Sequence, residues 1–331
     1  IDALADHSGA IVALEPSTGE VLAFVSQPTF DPNLFVNGIS KDSYKALRES
    51  TARPLFNRAL QAQYPPGSTV KPMVALAGLE SGVRHAGDHT WCPGWYTLDG
   101  GDHKYRDWFK RGHGQVDLGR SIAESCDVYY YSLARDLGIA KLHRMLSQFG
   151  LWRATGIDLP GEASGLLPSA QWKRRARNLP WYPGETLITG IGQGFMLTSP
   201  LQLAYATAII ANRGRRLAPH VVGQIEDPLA RVASEIVIHE RATLVLSNAA
   251  HWDNIIGGMI ETVHGARGTA RRSGNGSTYQ FAGKTGTAQL FGIAQDEVAD
   301  NDETPKHLRD HALFVAFAPK EKPEIAISIV V

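Results

Sequence analysis

Apolar and polar residues divide the chain into strand-like runs at its two ends and helix-like runs between them. Residues 9–27 form two such runs around a Pro-Ser-Thr-Gly turn, which is typical of a β-hairpin. Near the other end, three more runs predict strands at 280–289, 312–318 and 324–331. The simplest fold that pairs these strands is one antiparallel sheet built from both chain ends, with helices packed on its faces.

Between these ends, apolar residues recur at the spacing of amphipathic helices. The helices that this pattern predicts lie at 71–83, within 118–151, at 200–211 and at 247–264. We therefore predict an α+β fold, in which residues 8–27 and 279–331 form the sheet and residues 40–215 form a large helical lobe.

Segments without clear periodicity separate these elements. Residues 28–60 are expected to be irregular, because proline and asparagine interrupt the apolar pattern. Residues 84–117, which are rich in glycine, histidine and aspartate, predict a long structured loop. Short strands are expected within 215–240, and an acidic polar loop is expected at 295–311.

The bulk composition excludes several classes of protein. Lysine and arginine number 33, as do aspartate and glutamate, so the chain lacks the basic surplus of a nucleic-acid-binding protein. No apolar run reaches the roughly 18 residues of a transmembrane helix. Two cysteines are too few for a disulfide framework. Because the first residue is not methionine and the last follows a strand-like run, we expect a fragment of a longer protein.

Ser68 and Lys71 stand three residues apart at the predicted start of a helix. Positions i and i+3 share a helix face, so the lysine lies beside the hydroxyl. A serine hydroxyl is a weak nucleophile until a neighbouring base takes its proton, and a neutral lysine is such a base. The same residues also suit a helix cap followed by a solvated lysine, so this motif needs partners elsewhere in the chain.

Two further motifs supply such partners. They are Ser125-Cys126-Asp127, after the predicted loop, and Lys284-Thr285-Gly286-Thr287, in the first C-terminal strand. In this order, motifs of the types S-x-x-K, S-D-N and K-T-G are the signature of penicillin-binding proteins and serine β-lactamases. The chain therefore resembles this superfamily. The resemblance implies the superfamily's fold, an antiparallel sheet from both chain ends with a large helical lobe.

Other segments narrow the resemblance to class B penicillin-binding proteins, the monofunctional transpeptidases. The matching segments are 12–20, 64–67, 190–194 and 197–202. Asp127, the stretch 105–108 and the following 112–114 are similar to the elongation-specific members of this class in Gram-negative rods. Because the resemblance covers nearly the whole chain, we expect residues 1–331 to form one transpeptidase domain.

The motifs then take catalytic roles. Ser68 attacks a carbonyl and becomes acylated, while Lys71 accepts its proton in the neutral form. Burial beside a second cation, Lys284, is expected to favour that neutral form. Ser125 relays a proton between Lys71 and the leaving amine, and Lys284 supplies positive charge to the substrate.

The remaining motif residues are expected to bind substrate. Thr285 offers a hydroxyl to the terminal carboxylate, and the resemblance implies an oxyanion hole made of the backbone N–H groups of Ser68 and Thr287. Gly286 allows the strand to approach the substrate and the serine's helix. Asp127 departs from the commoner Asn, and an ionised Asp cannot donate a hydrogen bond. It either pairs with a neighbouring lysine or is not a direct substrate ligand.

The resemblance implies a peptidoglycan D,D-transpeptidase of cell-wall elongation. Its substrate is the D-Ala-D-Ala end of a stem peptide, the amine of a neighbouring stem resolves the acyl-enzyme, and β-lactams acylate the same serine. No organic cofactor is implied. Family relatives have a membrane anchor and a pedestal domain, and they face the periplasm from the bacterial inner membrane. They work with a membrane-embedded glycan polymerase and the elongation machinery.

Two other functions stay open for the same fold. A β-lactamase needs a residue that activates the deacylating water, and its candidates near the motifs are Glu124, Glu162 and Glu185. A β-lactam-sensing domain would keep Ser68 acylated and lack an acceptor groove. Durable labelling by a penicillin fits the transpeptidase and the sensor, whereas rapid turnover fits the β-lactamase.

Four residues between the first two motifs have the chemistry of a structural zinc site: Cys92, Asp107, His113 and Cys126. The loop that carries three of them is rich in glycine and poor in apolar residues, where a metal adds most to stability. A Cys92–Cys126 disulfide or two buried free thiols are the alternatives. The resemblance favours zinc, because similar loops in relatives are thought to hold it through Asp, His and Cys. Rival ligands are His85, Asp88, His89 and His103.

Overall fold

The computed structural model describes residues 2–4, 7–227, 229, 232–235, 237–289 and 310–331. The acidic loop predicted at 295–311 lies outside these residues, except for its final two positions. Within the described part of the chain, every helix is too short or too polar to span a lipid bilayer.

Strands lie at both ends of the chain and in short ribbons between the helices. The strands are β1 (Gly9–Leu14), β2 (Val21–Gln27), β3 (Thr90–Cys92), β4 (Trp95–Tyr96), β5 (Tyr105–Arg106), β6 (Gly114–Val116), β7 (Arg216–Leu217), β8 (Gln224–Asp227), β9 (Val232–Glu235), β10 (Glu240–Arg241), β11 (Ala282–Ala288), β12 (His311–Ala318) and β13 (Ile325–Val330). The helices are α1 (Lys41–Glu49), α2 (Arg58–Gln61), α3 (Lys71–Glu80), α4 (Leu118–Ala123), α5 (Asp127–Gln148), α6 (Ala170–Arg177), α7 (Pro183–Gly190), α8 (Pro200–Ala211), α9 (Ala250–His264) and α10 (Arg271–Gly274). Single 3₁₀ turns lie at Asp2–Leu4, Pro32–Phe35 and Gly67–Val70.

One five-stranded sheet joins the two ends of the chain, in the order β11-β12-β13-β1-β2. Every neighbouring pair is antiparallel. β1 pairs with β13 from Ala10 opposite Val330 to Leu14 opposite Ala326. β1 is almost wholly buried, because apolar residues occupy both of its faces. The prediction of an antiparallel sheet built from both chain ends is confirmed.

Two buried helices support the sheet and the site. α8 is buried along its whole length and packs on β13 and β1. It begins at the predicted position, where Ser199 and Gln202 form a capping box. α3 is buried except for its last residue and packs against α5 and α9. Because α3 begins at Lys71, this packing also buries the lysine of the first motif.

The prediction of irregular structure at 28–60 is wrong at α1 and α2. α1 has no buried residue, so no apolar face reveals it. Ser40 caps it instead, by accepting a hydrogen bond from the N–H of Ser43. The helix predicted at 71–83 ends at Glu80, and a left-handed Gly82 (φ 66°) follows it.

The predicted loop at 84–117 folds into two small antiparallel ribbons. β3 pairs with β6, and β4 pairs with β5. Both ribbons contact α5. A hydrogen bond from the N–H of Trp108 to the carboxylate of Asp127 joins the end of the second ribbon to the start of α5. The loop therefore lies next to the second sequence motif.

Candidate active site

Ser68 lies on the 3₁₀ turn Gly67–Val70, which continues directly into α3. The N–H of Lys71 donates to the carbonyl oxygen of Ser68. Side chains three residues apart on such a turn lie nearly above one another. The first motif therefore has the local geometry that its spacing predicts.

Three backbone segments cross closely beside Ser68. A Cβ on Gly67 (φ 53°) would lie 2.3 Å from the carbonyl oxygen of Thr287, and a Cβ on Gly192 (φ 72°) would lie 2.2 Å from the carbonyl oxygen of Gly67. Only glycine fits at these two positions. The N–H of Gly67 donates to the carbonyl of Gly192 at 2.9 Å, and Nε2 of Gln193 donates to the carbonyl of Thr287 at 2.8 Å. These contacts set the position of the turn Gly67–Val70, called the serine turn below, relative to β11.

Lys71 is fully buried, and its ammonium contacts the second motif. Nζ donates to Oδ1 of Asp127 at 2.7 Å and to the carbonyl oxygen of Ser125 at 2.8 Å, and it lies 3.2 Å from Oγ of Ser125. Among the described residues, no hydrogen bond joins this Nζ to the hydroxyl of Ser68. Lys71 is therefore the ion-pair partner of Asp127.

Ser125 connects Lys71 to the second lysine of the site. Nζ of Lys284 donates to Oγ of Ser125 at 2.9 Å and to the carbonyl oxygen of Thr285 at 3.0 Å. Burial and then the charge of Lys71 hold the pKa of Lys284 well below its ordinary value, although Asp127 opposes this shift. These surroundings therefore favour the neutral amine at Lys284.

Asp127 is the first residue of α5, where the helix dipole favours a carboxylate. Its Oδ1 accepts from Lys71, and its Oδ2 accepts from the N–H of Trp108 at 3.1 Å. Of the two roles that the sequence leaves open, the structure shows the pairing with a lysine. The contact with Trp108 also connects the loop at 84–117, called the ribbon loop below, to this ion pair.

β11 carries the third motif at one edge of the sheet. A Cβ on Gly286 would lie 2.7 Å from Cγ2 of Thr69 on the serine turn, so the absence of a side chain permits this packing. Oγ1 of Thr285 lies 2.7 Å from Oγ1 of Thr269, on the segment after α9. Thr287 is exposed next to Ser68.

A cavity of about 760 Å³ joins the three motifs. One side is lined by Ser68, Ser125, Asp127, Thr285, Gly286 and Thr287. Residues 103–108 of the ribbon loop line it as well, with the aromatic rings of Tyr105 and Trp108. Lys71 and Lys284 are buried behind Ser125. The structure thus brings all the predicted catalytic and substrate-binding residues to one place.

Two residues of this site are missing from the sequence prediction. Gln193 lies in the segment 190–194 that carries the family resemblance, so that motif was a signal for it. Thr269 belongs to no motif. It reaches the site only because the segment after α9 runs beside β11.

The four predicted metal ligands form a cluster beside the cavity that joins the three motifs, called the active cavity below. The ligand atoms of Cys92, Asp107, His113 and Cys126 all lie within 4.8 Å of one another. Oδ2 of Asp107 is 3.3 Å from Sγ of Cys126 and 3.5 Å from Sγ of Cys92, and that Sγ is 3.6 Å from Nδ1 of His113. A tetrahedral zinc ion with bonds of about 2.0–2.3 Å needs ligand atoms about 3.3–3.8 Å apart. These spacings fit one such ion.

The two thiols lie within hydrogen-bond reach of each other, and this contact shifts the pKa of both. The hydrogen bond with Cys126 lowers the pKa of the Cys92 thiol to about 5, whereas Cys92 and burial raise the pKa of Cys126. The two cysteines are free, so the structure contains no disulfide between them. The cluster includes none of the rival ligands, and His85 pairs with Asp88 at the surface.

Comparison with known proteins shows a family and close relatives. The family model of the penicillin binding protein transpeptidase domain matches residues 9–331. The peptidoglycan D,D-transpeptidase MrdA of Acinetobacter baumannii is 44% identical over 99% of this chain, which corresponds to 48% of that relative. The chain spans about half the length of the curated relatives it matches.

Solved structures of similar proteins cover the whole chain. The structure of Pseudomonas aeruginosa PBP2 in complex with WCK 5153 has a TM-score of 0.89 and 48% identity, over 100% of this chain and 68% of that one. PBP2 of Helicobacter pylori, in its complex with MreC, has a TM-score of 0.88 and 35% identity, over 100% of this chain and 57% of that one.

Proposed function

This chain belongs to the penicillin binding protein transpeptidase domain family, and on that basis we propose that it crosslinks peptidoglycan stem peptides. The reaction is a serine-type D,D-transpeptidation with Ser68 as the acylated nucleophile and no organic cofactor. The observation that carries the proposal is that Oγ of Ser125 contacts both buried lysines at the cavity that Ser68 lines.

Ser125 allows Lys71 to become the base that Ser68 needs. Its hydroxyl can accept a proton from Lys71 while its own proton passes to Lys284, whose neutral form is favoured. Lys71 then takes the proton of Ser68 as Oγ attacks the carbonyl carbon of the penultimate D-Ala. A proton returns through Ser125 to the leaving amine as the C–N bond breaks, so the charges balance.

The carbonyl oxygen of the substrate gains negative charge in this step. The backbone N–H groups of Ser68 and Thr287 are proposed to stabilise it, and the hydrogen bond from Gln193 to the carbonyl of Thr287 supports their geometry. Lys284 and Thr285 are proposed to bind the terminal carboxylate of the substrate. An anion beside Lys284 favours its charged form.

For the β-lactamase alternative, none of the candidate glutamates is placed to activate water at the active cavity. No glutamate is among the described residues that line the active cavity. The three candidates have other partners: Glu124 pairs with Arg120, Glu185 pairs with Lys173, and Glu162 accepts the backbone N–H groups of Thr155 and Gly156. We therefore expect slow loss of an acyl group from Ser68.

Mass spectrometry of the intact chain with a penicillin tests this function. We expect one covalent adduct that persists for hours, because no described glutamate is placed to activate water. A stem pentapeptide mixed with an amine-bearing acceptor should give a dimer with release of one D-alanine. Hydrolysed penicillin without a lasting adduct would establish a β-lactamase, and a lasting adduct without any dimer would establish a sensor.

We further propose that this activity serves cell-wall elongation at the periplasmic face of the bacterial inner membrane. The names of the relatives support a peptidoglycan D,D-transpeptidase, and the solved complex of Helicobacter pylori PBP2 with MreC supports a partner of that kind. A partner of that kind and a membrane-embedded glycan polymerase are part of the proposal. Residues 1–331 act in it as the transpeptidase domain.

We also propose that Cys92, Asp107, His113 and Cys126 hold one structural zinc ion. The spacing of their ligand atoms and the proximity of the two sulfurs support this site. Cys126 is the residue before α5, and Oδ2 of Asp107 accepts the N–H of Val128 at 3.1 Å. When bound, the ion would fasten the ribbon loop to the start of α5, which carries the active-site carboxylate.

Elemental analysis of protein purified without added metal checks the zinc proposal. We expect about one zinc ion per chain, and removal by a chelator should lower the melting temperature by about 5 °C or more. Cys92→Ser should lose most of the zinc. Asp88→Ala, which removes a rival ligand at the surface, is the matched control and should keep it. Folded protein with almost no metal would refute the site.

A further inference from the structure

A second cavity adjoins the active cavity at the edge strand β11. Its volume is about 750 Å³, and Thr269 and Thr285 line both cavities. The hydroxyl oxygens of these two threonines lie 2.7 Å apart, at the boundary between the two spaces. A molecule held in the second cavity can therefore extend past Thr285 toward Lys284 and Ser125.

The wall of the second cavity carries positive charge. Arg267, Arg271 and Arg272 line it, and all three are exposed. Nη1 of Arg267 lies 3.7 Å from Glu124, whereas no carboxylate of the described residues pairs with Arg271 or Arg272. Nη1 of Arg271 donates to the carbonyl oxygen of Ala266, another lining residue, at 3.2 Å. The cavity is therefore suited to carboxylates.

The chemistry of transpeptidation needs a place for a second peptide. The donor acyl group stays on Ser68, and the leaving D-alanine has its carboxylate next to its amine. The acceptor amine replaces that leaving amine at the same carbonyl carbon, so by microscopic reversibility it approaches along the same path. The second cavity begins at Thr285, the residue proposed to bind the carboxylate of the leaving group.

We propose that the second cavity binds the acceptor stem peptide and that Arg271 and Arg272 bind its carboxylates. This inference rests on the proposed transpeptidase function. The acceptor amine loses one proton and bonds to the acyl carbon, while the bond from that carbon to Oγ of Ser68 breaks. Ser68 recovers the proton through Ser125 and Lys71. Holding the stem by its carboxylates places the amine for this attack.

The test follows the fate of the acyl-enzyme in the variant Arg271→Ala/Arg272→Ala. A thioester donor with an N-acyl-D-alanyl group acylates the enzyme, and a stem tripeptide with free carboxylates is compared with the same tripeptide as its amides. With the carboxylate acceptor, we expect the ratio of aminolysis to hydrolysis to fall about tenfold. The amide acceptor should give a low ratio in both proteins. Acylation by penicillin needs no acceptor and should proceed in the variant.

Two further variants separate binding from folding. Arg271→Lys/Arg272→Lys should recover part of the ratio, because positive charge remains without the planar fork of arginine. Arg174→Ala/Arg175→Ala removes two exposed charges from α6 and should keep the wild-type ratio. An unchanged ratio in the alanine variant, or an equal loss with the amide acceptor, would overturn the proposal. A wild-type chain that penicillin does not acylate, or whose acyl-enzyme transfers to neither acceptor, would overturn the proposed function instead.

Discussion

Ser68→Ala is expected to abolish covalent labelling of the chain by penicillin. Alanine has no Oγ to form the ester, and the other serine of the cavity, Ser125, is hydrogen-bonded to two buried lysines. Loss of a nucleophile of this kind typically lowers the rate by about 10⁴-fold or more. Labelling with a fluorescent penicillin, followed by mass spectrometry of the intact chain, measures it.

Two serine variants give this experiment its controls. Ser125→Ala should slow labelling without abolishing it, because the nucleophile remains while the link between the lysines is lost. Ser81→Ala removes a hydroxyl at the end of α3, where it bonds to the carbonyl of Ala77, and should label like the wild type. If Ser68→Ala keeps the label, the assignment of the nucleophile is wrong.

Asp127→Ala is expected to lower both the stability of the chain and its rate of acylation. The substitution leaves Lys71 buried without its counter-charge, and breaking a buried ion pair costs about 3–5 kcal/mol of unfolding free energy. The N–H of Trp108 also loses its acceptor. Because Lys71 is the base for Ser68, we expect acylation to slow by about 10²-fold. Urea denaturation and the rate of penicillin labelling measure the two effects.

The matched variants separate charge from hydrogen bonding. Asp127→Asn retains an oxygen for Lys71 and should cost less, about 1–3 kcal/mol. Asp253→Ala breaks an exposed pair with Arg213 and should cost about 1 kcal/mol or less. A stability of Asp127→Ala within the error of the wild type would show that Lys71 does not depend on this carboxylate.

Helices and strands with an apolar face could be predicted from the sequence, whereas a helix stabilised by its cap alone could not. α8 begins and ends as predicted, because its residues are apolar throughout and Ser199 marks its start. Strands β1, β2, β12 and β13 follow equally from their apolar residues, whereas β11 carries the polar third motif. α1 is held by its cap at Ser40 and buries nothing, so its pattern resembles that of a loop.

The candidate site also combines features that the sequence predicts with features that only the structure shows. The three motifs name the residues that line the cavity, because each chemical role needs a particular side chain at a particular spacing. The surroundings of the two lysines do not follow from the motifs. They depend on a 2.7 Å contact between Lys71 and Asp127, 56 positions later in the chain, and on the burial of Lys284. The sequence around each lysine contains neither the contact with a distant residue nor the degree of burial.

By itself, the sequence determined the motif residues, their order, the sheet built from both ends and the four candidate ligands. Tertiary structure alone decided that burial and the charge of Lys71 favour the neutral form of Lys284. It also decided that Thr269 and Arg271 border a second cavity at Thr285. The physical reason is that side-chain chemistry is a property of each residue, whereas desolvation, charge coupling and cavities arise only when distant segments pack together.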